Sequence, residues 1–311
     1  MIMRISDLKT NFPTPDGIVR AVDTIDLSIR DTETFGLIGE TGCGKTVLGL
    51  TIMRLLHPAA TMEGEIIYKG KNLLEASEAE MRTIRGREIA IILQNPTTSL
   101  NPVMRVGEQI AEAIRLHQGL NKKDAAAKAV EMLDAVRIPS PSQRANEYPH
   151  EFSGGMKQRV MIAMGLACNP SFIIADEPTK GLDVTIKAQI VELMKEMTER
   201  KAMLLITHDL SVARELCDRI ALMYAGELVE YAPLKGIFES PLHPYTRGFL
   251  GSLPERGLVP IPGMSPSLID FPDGCRFHPR CEHATEVCRR EHPELVEFNA
   301  GHFVRCHHAR S

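Results

Sequence analysis

The sequence predicts an α/β protein with a central parallel sheet. Two short apolar runs, residues 172–175 and 203–206, have the length of buried strands and are separated by a helical stretch at 184–199. Apolar residues recur at helical spacing in that stretch, namely at Ile186, Ile190, Leu193 and Met197. Polar residues follow each strand directly, and open α/β sheets bind their ligands at that edge. This alternation of strands and helices favours a parallel sheet covered by helices.

The composition is that of a globular protein without a general affinity for nucleic acid. The 311 residues are 43% apolar and carry a formal charge of −4, which suits one large domain or a medium domain with attachments. The mildly acidic balance argues against an extended nucleic-acid-binding surface. No run approaches the roughly 18 apolar residues of a membrane span, and residues 1–17 lack the apolar core of a secretory signal. We therefore expect a cytoplasmic protein whose role at a membrane comes through a partner.

A phosphate-binding loop is the strongest motif in the chain. The loop reads G-x-x-x-x-G-K-T and consists of Gly39, Glu40, Thr41, Gly42, Cys43, Gly44, Lys45 and Thr46. An apolar strand at 35–38 precedes it, as the motif requires. The apolar residues that follow share one helical face: Leu48, Ile52 and Leu55, in a helix ending near residue 57. Backbone N–H groups of the loop and the helix N-terminus would bind phosphate, Lys45 would reach the β- and γ-phosphates, and Thr46 would ligate Mg²⁺. A chance glycine-rich turn is the competing interpretation.

Strands surround this loop, and a helical block follows it. Apolar and polar residues alternate over 1–35, which predicts short antiparallel strands, and a buried strand at 90–93 ends on Gln94. Helical periodicity then occurs twice over 103–138. Its apolar positions are Val106, Ile110 and Ile114, and then Val130, Leu133 and Val136. We expect a helical subdomain, about residues 96–165, inserted into the core.

Four cysteines near the end of the chain predict a metal site. They are Cys275, Cys281, Cys288 and Cys306, in a segment that is rich in Pro, Gly and His from about residue 240. In a reducing compartment such a cluster favours metal over disulfides, and metal ligation supplies folding energy that a short polar segment lacks. The spacing is not the paired Cys-x2-Cys of zinc ribbons. A mixed Cys/His zinc site and an unligated or disulfide-linked cluster are the alternatives.

In their order along the chain, the motifs resemble those of ATP-binding-cassette (ABC) ATPase subunits. The matching features are the phosphate loop, Gln94, FSGGMKQR at 152–159, FIIADEP at 172–178, GLD at 181–183 and ITHD at 206–209. Three further phrases, QNPTTSLNP, HPYTRGFLGSLP and GCRFHPRC, resemble the branch that imports oligopeptides, dipeptides or nickel. The resemblance covers about residues 4–307.

The resemblance implies a P-loop NTPase core with an N-terminal antiparallel β subdomain, the inserted helical subdomain and a small Cys-rich appendage. The nucleotide-binding domain would span residues 1–240 and the C-terminal extension residues 241–311. In that branch the four cysteines hold a [4Fe–4S] cluster by all-thiolate ligation, and zinc is the alternative metal here.

The resemblance also implies roles for the polar residues at the strand ends. Asp176 would hold Mg²⁺ directly or through water, Glu177 would orient and polarise the attacking water, and His208 would contact the γ-phosphate. Gln94 would bridge Mg²⁺ and the water and couple the nucleotide state to the helical subdomain. The competing interpretations are a second solvated carboxylate at Glu177, an exposed glutamine at Gln94 and a structural histidine at His208.

A second anion site is predicted where Ser153, Gly154 and Gly155 precede a helix. In the resembling family this site grips the γ-phosphate of ATP bound to the other subunit, so ATP would close a pair of subunits and hydrolysis would release it. Asp183 would lie at the seam of the pair, with a simple helix N-cap as the alternative. Phe12 would stack on adenine by its position, with an ordinary core phenylalanine as the alternative.

The implied function is ATP-driven import of peptides, nickel or similar small solutes. The chain would hydrolyse ATP with Mg²⁺ at the cytoplasmic face of a membrane, paired with a related but different ATPase subunit. It would dock by its helical subdomain on two membrane permease subunits, and an extracytoplasmic solute-binding protein would deliver the cargo. The alternative is a soluble ABC ATPase of the DNA-repair or translation type, against which the acidic balance and the lack of sustained heptads argue.

Overall fold

A computed structural model describes residues 1–309, apart from the side chain of Pro254. The chain divides into two compact units, one formed by Met1–Glu75 with the chain from Leu205 onward, the other by Ala76–Leu204. Each unit contains a parallel strand pair together with helices, and the first unit also contains antiparallel pairs. The predicted α/β class is therefore confirmed, with mixed rather than purely parallel sheets.

The first unit begins with a long antiparallel hairpin and the strand–loop–helix of the phosphate motif. Its elements up to residue 75 are β1 (Met3–Thr14), β2 (Gly17–Ile29), β3 (Thr34–Ile38), α1 (Lys45–Met53), β4 (Thr61–Tyr68) and β5 (Lys71–Asn72). Strands pair in the order β2-β1-β4-β5. Apolar side chains on alternate positions, such as Ile5 and Ile25, are fully buried, because a strand turns successive side chains to opposite faces. The antiparallel strands predicted for the N-terminus are thereby confirmed.

Helix α1 is shorter than the apolar pattern predicts. Leu48 and Ile52 are fully buried, but Leu55 lies beyond the helix and is 48% exposed. Arg54 adopts a left-handed conformation, and its N–H bonds back to the carbonyls of Leu50 and Thr51, which ends the helix at Met53. The prediction that the helix continues to about residue 57 is wrong.

The second unit is mainly helical. Its elements are α2 (Glu78–Ile84), β6 (Ile89–Ile92), α3 (Pro96–Ser99), α4 (Val106–Gln118), α5 (Lys122–Ala135), α6 (Pro141–Arg144), α7 (Gly154–Leu166), β7 (Phe172–Asp176) and α8 (Val184–Thr198). Helices α4, α5 and α7 pack on one another. The predicted face of α4 is confirmed, because Val106, Ile110 and Ile114 are fully buried. Of the face predicted for α5, Leu133 and Val136 are fully buried and Val130 is partly exposed, and Ala125 and Ala129 are buried as well.

Strand β8 (Ala202–Thr207) crosses the boundary between the units. The elements that follow are α9 (Leu210–Leu216), β9 (Arg219–Tyr224), β10 (Glu227–Pro233), α10 (Leu234–Glu239), α11 (Pro244–Gly251), α12 (Glu286–Arg290), β11 (Val296–Asn299) and β12 (His302–Val304). Within the first unit, β9 runs parallel to β3, and the strands lie in the order β11-β12-β10-β9-β3. The C-terminal segment, which begins at residue 241, therefore extends the sheet that carries the phosphate loop, through its strands β11 and β12.

Buried contacts hold the C-terminal strands in place. The Glu230 side chain is fully buried, lies 2.6 Å from Nε2 of His302, and accepts backbone N–H bonds from Leu242 and His243. Burial by itself raises the pKa of this carboxyl, but the hydrogen bond to His302 and the other bonds outweigh it and hold the pKa below its usual range. Burial of this carboxylate is tolerated because its lone pairs are bonded.

Candidate functional site

The phosphate loop has the backbone geometry that anion binding needs. The loop runs from the end of β3 at Ile38 to the start of α1 at Lys45. A Cβ atom at Gly39 would lie 2.2 Å from the Met223 carbonyl oxygen, and one at Gly44 would lie 2.0 Å from the Ala21 carbonyl oxygen. Gly44 also has a φ of 110°, which side chains disfavour. These two positions therefore accept only glycine, and the chance-turn interpretation does not account for that.

Lys45 is held against its own loop. Its Nζ atom donates to the carbonyl oxygens of Gly39 at 2.7 Å and Glu40 at 2.9 Å, and its side chain is buried. The first turn of α1 contains no acidic residue, so nothing there offsets the positive end of the helix dipole. Thr46, in that turn, is exposed. The arrangement places an ammonium group and a helix N-terminus where phosphate oxygens would bind.

Glu40, the second residue of the loop, is bound by residues of the C-terminal segment. Its carboxylate accepts from both Nη atoms of Arg280, at 2.8 and 2.9 Å, and from the Ser265 hydroxyl. Its backbone N–H donates to the Tyr245 hydroxyl at 3.1 Å. Burial raises the pKa of the Glu40 carboxyl, but the hydrogen bonds from Arg280 and Ser265 outweigh it and hold that pKa below its usual range. Sequence reasoning missed these partners, although Arg280 stands beside Cys281 in the GCRFHPRC phrase.

Two further predicted residues lie in the first unit. Phe12 lies in β1 opposite Val19 and is partly exposed. His208 directly follows β8 and is exposed, as expected for a residue at a strand end.

In the second unit, the acidic pair and Gln94 follow neighbouring strands. Strands β6 and β7 are parallel, with Ile92 opposite Ala175, so both strands end at the same edge of the sheet. Asp176 is the last residue of β7 and is 2% exposed, whereas Gln94 lies two residues beyond β6 and is partly exposed. Carboxylate and amide oxygens are the kinds of ligand that Mg²⁺ prefers.

Glu177 has a conformation that is rare for its residue type. Its φ is 47°, in the left-handed region, and the residue is 7% exposed. Such conformations cost roughly 1–3 kcal/mol and cluster at active sites, where the surrounding structure holds them. A simple solvated carboxylate would be neither buried nor held in this conformation.

The second predicted anion site lies at the N-terminus of α7. Ser153 is the N-cap and accepts from the Met156 N–H at 3.4 Å, and Ser153 and Gly154 are exposed. A Cβ atom at Gly155 would lie 2.8 Å from the Ile186 side chain, so this glycine is needed for packing. Asp183 caps α8 by accepting a hydrogen bond from the Ile186 N–H at 3.0 Å, as the N-cap interpretation predicts. The Asp183 side chain is also exposed.

All four C-terminal cysteines line one cavity. Its volume is about 20 Å³, and its walls also include His278, His283, His307 and His308. Burial raises the pKa of the Cys275 thiol to about 12, and Glu227, Cys306 and Cys288 add to the shift. Burial also raises the pKa values of Cys281 and Cys306. All seven cysteines, each within the described residues, are free thiols, so the disulfide alternative is not formed.

The four thiols share a cavity without converging on one point. Within residues 1–309, no three His, Cys, Asp or Glu side chains are arranged to hold a metal ion.

In the same part of the chain, every helix is too short or too polar to cross a bilayer.

Comparisons with known proteins match nearly the whole chain. A family model of ABC transporters matches residues 22–180, and a model of the C-terminal region of oligopeptide/dipeptide transporters matches residues 229–288. The chain is 48% identical to a probable peptide ABC transporter ATP-binding protein of Sinorhizobium fredii, over 98% of this chain and 94% of the relative. It is 45% identical to the oligopeptide transport ATP-binding protein OppD of Haemophilus influenzae (98% and 96%) and to the dipeptide transport ATP-binding protein DppD of Bacillus subtilis (98% and 94%).

Solved structures match the fold. A dimeric ATP-binding cassette in a post-hydrolysis state with bound ADP and phosphate superposes with a TM-score of 0.68 at 28% identity, covering 76% of this chain and 100% of that one. A cbiO1 protein of Clostridium perfringens, part of the cbiONQ ABC transporter complex, gives a TM-score of 0.64 at 25% identity and covers 77% and 91%.

Proposed function

Because the chain belongs to the ABC transporter family of ATP-binding proteins, we propose that it is the ATP-hydrolysing subunit of a peptide importer. The observation that carries the proposal is similarity to oligopeptide and dipeptide transport ATP-binding proteins over 98% of the chain, including the C-terminal region. The phosphate loop, with its two obligatory glycines and its inward-held lysine, gives the chain the means to bind ATP. The relatives named above give no support to the soluble DNA-repair or translation alternative.

Each residue of the proposed ATP site has a chemical task. The loop N–H groups and Lys45 bind the β- and γ-phosphates, and the ring of Phe12 stacks on adenine. Thr46, Gln94 and Asp176 supply the oxygen ligands for Mg²⁺, which when bound neutralises charge on the phosphates. Glu177 accepts a proton from the attacking water, and His208 holds the γ-phosphate and the water in line.

A complete site needs a second subunit. The exposed N-terminus of α7, with Ser153 and Gly154, binds the γ-phosphate of ATP on the partner's loop. Asp183 keeps α8 capped and lies at the seam. ATP therefore closes the pair, and hydrolysis releases it. The partner is a related but different ATPase subunit, so that the proposed pair is a heterodimer.

A groove in the second unit is suited to a permease subunit. Its volume is about 420 Å³, and its lining includes the apolar residues Ala111, Ala126 and Val130. The charged residues that line it are three basic ones, Arg105, Arg115 and Lys122, and one acidic one, Glu108. This composition fits a short segment that presents apolar residues and an acidic end. Two permease subunits would hold the pair at the cytoplasmic face of the membrane, and an extracytoplasmic binding protein would deliver peptides.

The cysteine cavity is proposed to hold a [4Fe–4S] cluster, with zinc as the alternative. Four thiols around one cavity are the donor set of such a cluster. Each iron takes one thiolate, so the ligands need not converge on a single point as they would around one ion. The cluster would attach the proposed extension, residues 241–311, to the proposed nucleotide-binding domain, residues 1–240. The proposed helical subdomain of that domain spans about residues 96–165.

Peptide transport by the reconstituted complex tests the function. Proteoliposomes containing the chain, its partner ATPase and the permease subunits should accumulate labelled di- and oligopeptides when ATP and the binding protein are supplied. The Ala126→Arg variant should abolish accumulation by filling the groove, while the purified variant still binds ATP. Ala127→Arg is the matched control, because Ala127 is exposed on the same helix but does not line the groove. Accumulation of Ni²⁺ instead of peptides would refute the cargo, and full transport by Ala126→Arg would refute the docking groove.

A further inference from the structure

The C-terminal segment reaches the phosphate loop through one arginine. Arg280 and Glu40 are 240 residues apart in the chain, and they form a two-pronged ion pair with N–O distances of 2.8 and 2.9 Å. The Arg280 side chain is 5% exposed and that of Glu40 is 27% exposed. A guanidinium that donates twice to one carboxylate fixes the orientation of both groups, which a single contact would not.

Arg280 is itself fixed by its surroundings. Its Nε donates to the Pro262 carbonyl at 2.9 Å, and its guanidinium lies 5.7 Å from the ring centre of Tyr224 and 6.0 Å from that of Phe277. The charge is therefore anchored in the segment that also carries Cys281. Because Arg280 cannot swing freely, it can hold Glu40 in one place.

Glu40 in turn determines where the phosphate-binding lysine sits. Its carboxylate is held by Arg280, its N–H by the buried Tyr245 hydroxyl, and its carbonyl oxygen accepts from Lys45 Nζ at 2.9 Å. One residue of the loop is thus fixed at three points, two of them supplied by the C-terminal segment. A connected path runs from Arg280 through Glu40 to the ammonium group of Lys45.

A second arginine of the same phrase is linked to the loop indirectly. Arg276, next to Cys275, donates to the Ala225 carbonyl at 2.6 Å and pairs with Asp23. The neighbouring Gly226 N–H donates to the carbonyl of Cys43 in the loop at 3.0 Å. Both arginines of the GCRFHPRC phrase are therefore linked to the phosphate loop, Arg280 directly through Glu40 and Arg276 through the backbone next to Gly226.

We propose that Arg280 is a positioning residue for ATP binding, so that the C-terminal segment forms part of the nucleotide site. Arg280 acts through Glu40 by fixing the loop around Lys45. The proposal rests on the proposed ATP-binding role of the loop, but it requires neither a cluster in the cysteine cavity nor peptide cargo. Loss of the pair loosens the loop and lowers ATP affinity, while the residues that activate water are untouched.

A double-mutant cycle on the purified chain tests the coupling. Arg280→Gln and Glu40→Gln should each raise the dissociation constant of a fluorescent ATP analogue about tenfold, the effect of one charge-assisted hydrogen bond. The double variant should bind no more weakly than either single variant, because both remove the same link. Arg290→Gln is the matched control, since Arg290 forms an exposed pair with Glu286 in the same segment, and it should leave affinity unchanged.

The kinetic pattern separates positioning from general destabilisation. In the complex, Arg280→Gln should raise KM for ATP about tenfold and leave kcat within about twofold, and Arg280→Lys should recover part of the affinity because it keeps the charge. Unchanged affinity in Glu40→Gln would overturn the proposal even if Arg280→Gln failed to fold. Where both single variants fold, effects that multiply in the double variant would overturn it as well. Absence of nucleotide binding by the wild-type chain would instead refute the ATP site itself.

Discussion

At the scale of single residues, Glu177 shows how the fold constrains the residue that is proposed to activate water. The residue follows a buried strand, is almost fully buried and holds a φ of 47°. Left-handed backbone at a non-glycine residue persists only where neighbouring structure enforces it. The sequence predicts the position of Glu177 from its neighbours in FIIADEP, but its backbone conformation depends on the turn that leads to Lys180, whose N–H bonds to the Glu177 carbonyl at 3.1 Å.

Replacement of this carboxylate tests its catalytic role. Glu177→Gln should lower kcat for ATP hydrolysis by the complex at least about 100-fold, the usual contribution of a general base. Binding of the ATP analogue should stay close to the wild-type level, because the amide preserves shape and removes only the proton acceptor. Hydrolysis at the wild-type rate would show that another group accepts the proton.

At the scale of elements, one buried ion pair joins the strands of the first unit. Arg219 begins β9, donates to Glu33 just before β3 at 2.9 Å, and reaches the Ser28 carbonyl near the end of β2 at 2.6 Å. The two side chains are 11% and 5% exposed. Burial raises the pKa of Glu33, but the hydrogen bonds from Arg219 and the Arg30 N–H outweigh it and lower the pKa overall.

Glu33→Gln should lower the free energy of unfolding at pH 7 by about 3 kcal/mol, because it leaves a buried arginine without its charge partner. The native pKa lies below the ordinary value of 4.5, so the stabilisation is fully present above that pH and is lost as the pH falls through the native pKa. The difference in unfolding free energy between wild type and variant, measured by guanidinium unfolding, should therefore decrease between pH 5 and pH 3. Glu65→Gln removes an exposed pair with Arg4 and serves as the control, with a change under about 0.5 kcal/mol. A difference in unfolding free energy that increases at acid pH would contradict the assignment of this stabilisation to the Glu33–Arg219 pair.

At the scale of the whole molecule, the C-terminal segment is integrated into the first compact unit. Strand β12 of this segment pairs with β10, and the ring of Phe303 stacks on the ring of Tyr231 with their centres 4.4 Å apart. Low hydrophobic periodicity predicts an appendage, and the strands were missed because β11 and β12 are only four and three residues long. Short strands leave too few positions for an alternating pattern to be recognised.

Metal analysis of the anaerobically purified chain tests the cysteine cavity. The wild type should contain about four irons and four sulfides per chain, the content of a [4Fe–4S] cluster. Cys281→Ser should lose iron and sulfide together, whereas Cys168→Ser should lose neither, because Cys168 lies in the second unit outside the cavity. One zinc and no iron would refute the cluster and leave the ATPase function intact.

The sequence by itself determined the parts of this protein whose residues are contiguous. The phosphate loop, the acidic pair at the end of β7 and the serine–glycine N-terminus of α7 are each recognised from a few neighbouring residues, because a loop or a strand or helix end is made by local backbone geometry. The order of these motifs also identified the family. The tertiary structure alone decided which distant residues meet. Arg280 reaches Glu40 across 240 residues, and cysteines spread over residues 275–306 share one cavity. Such contacts depend on how the strands stack into a sheet and how the chain returns to it, which no local spacing encodes.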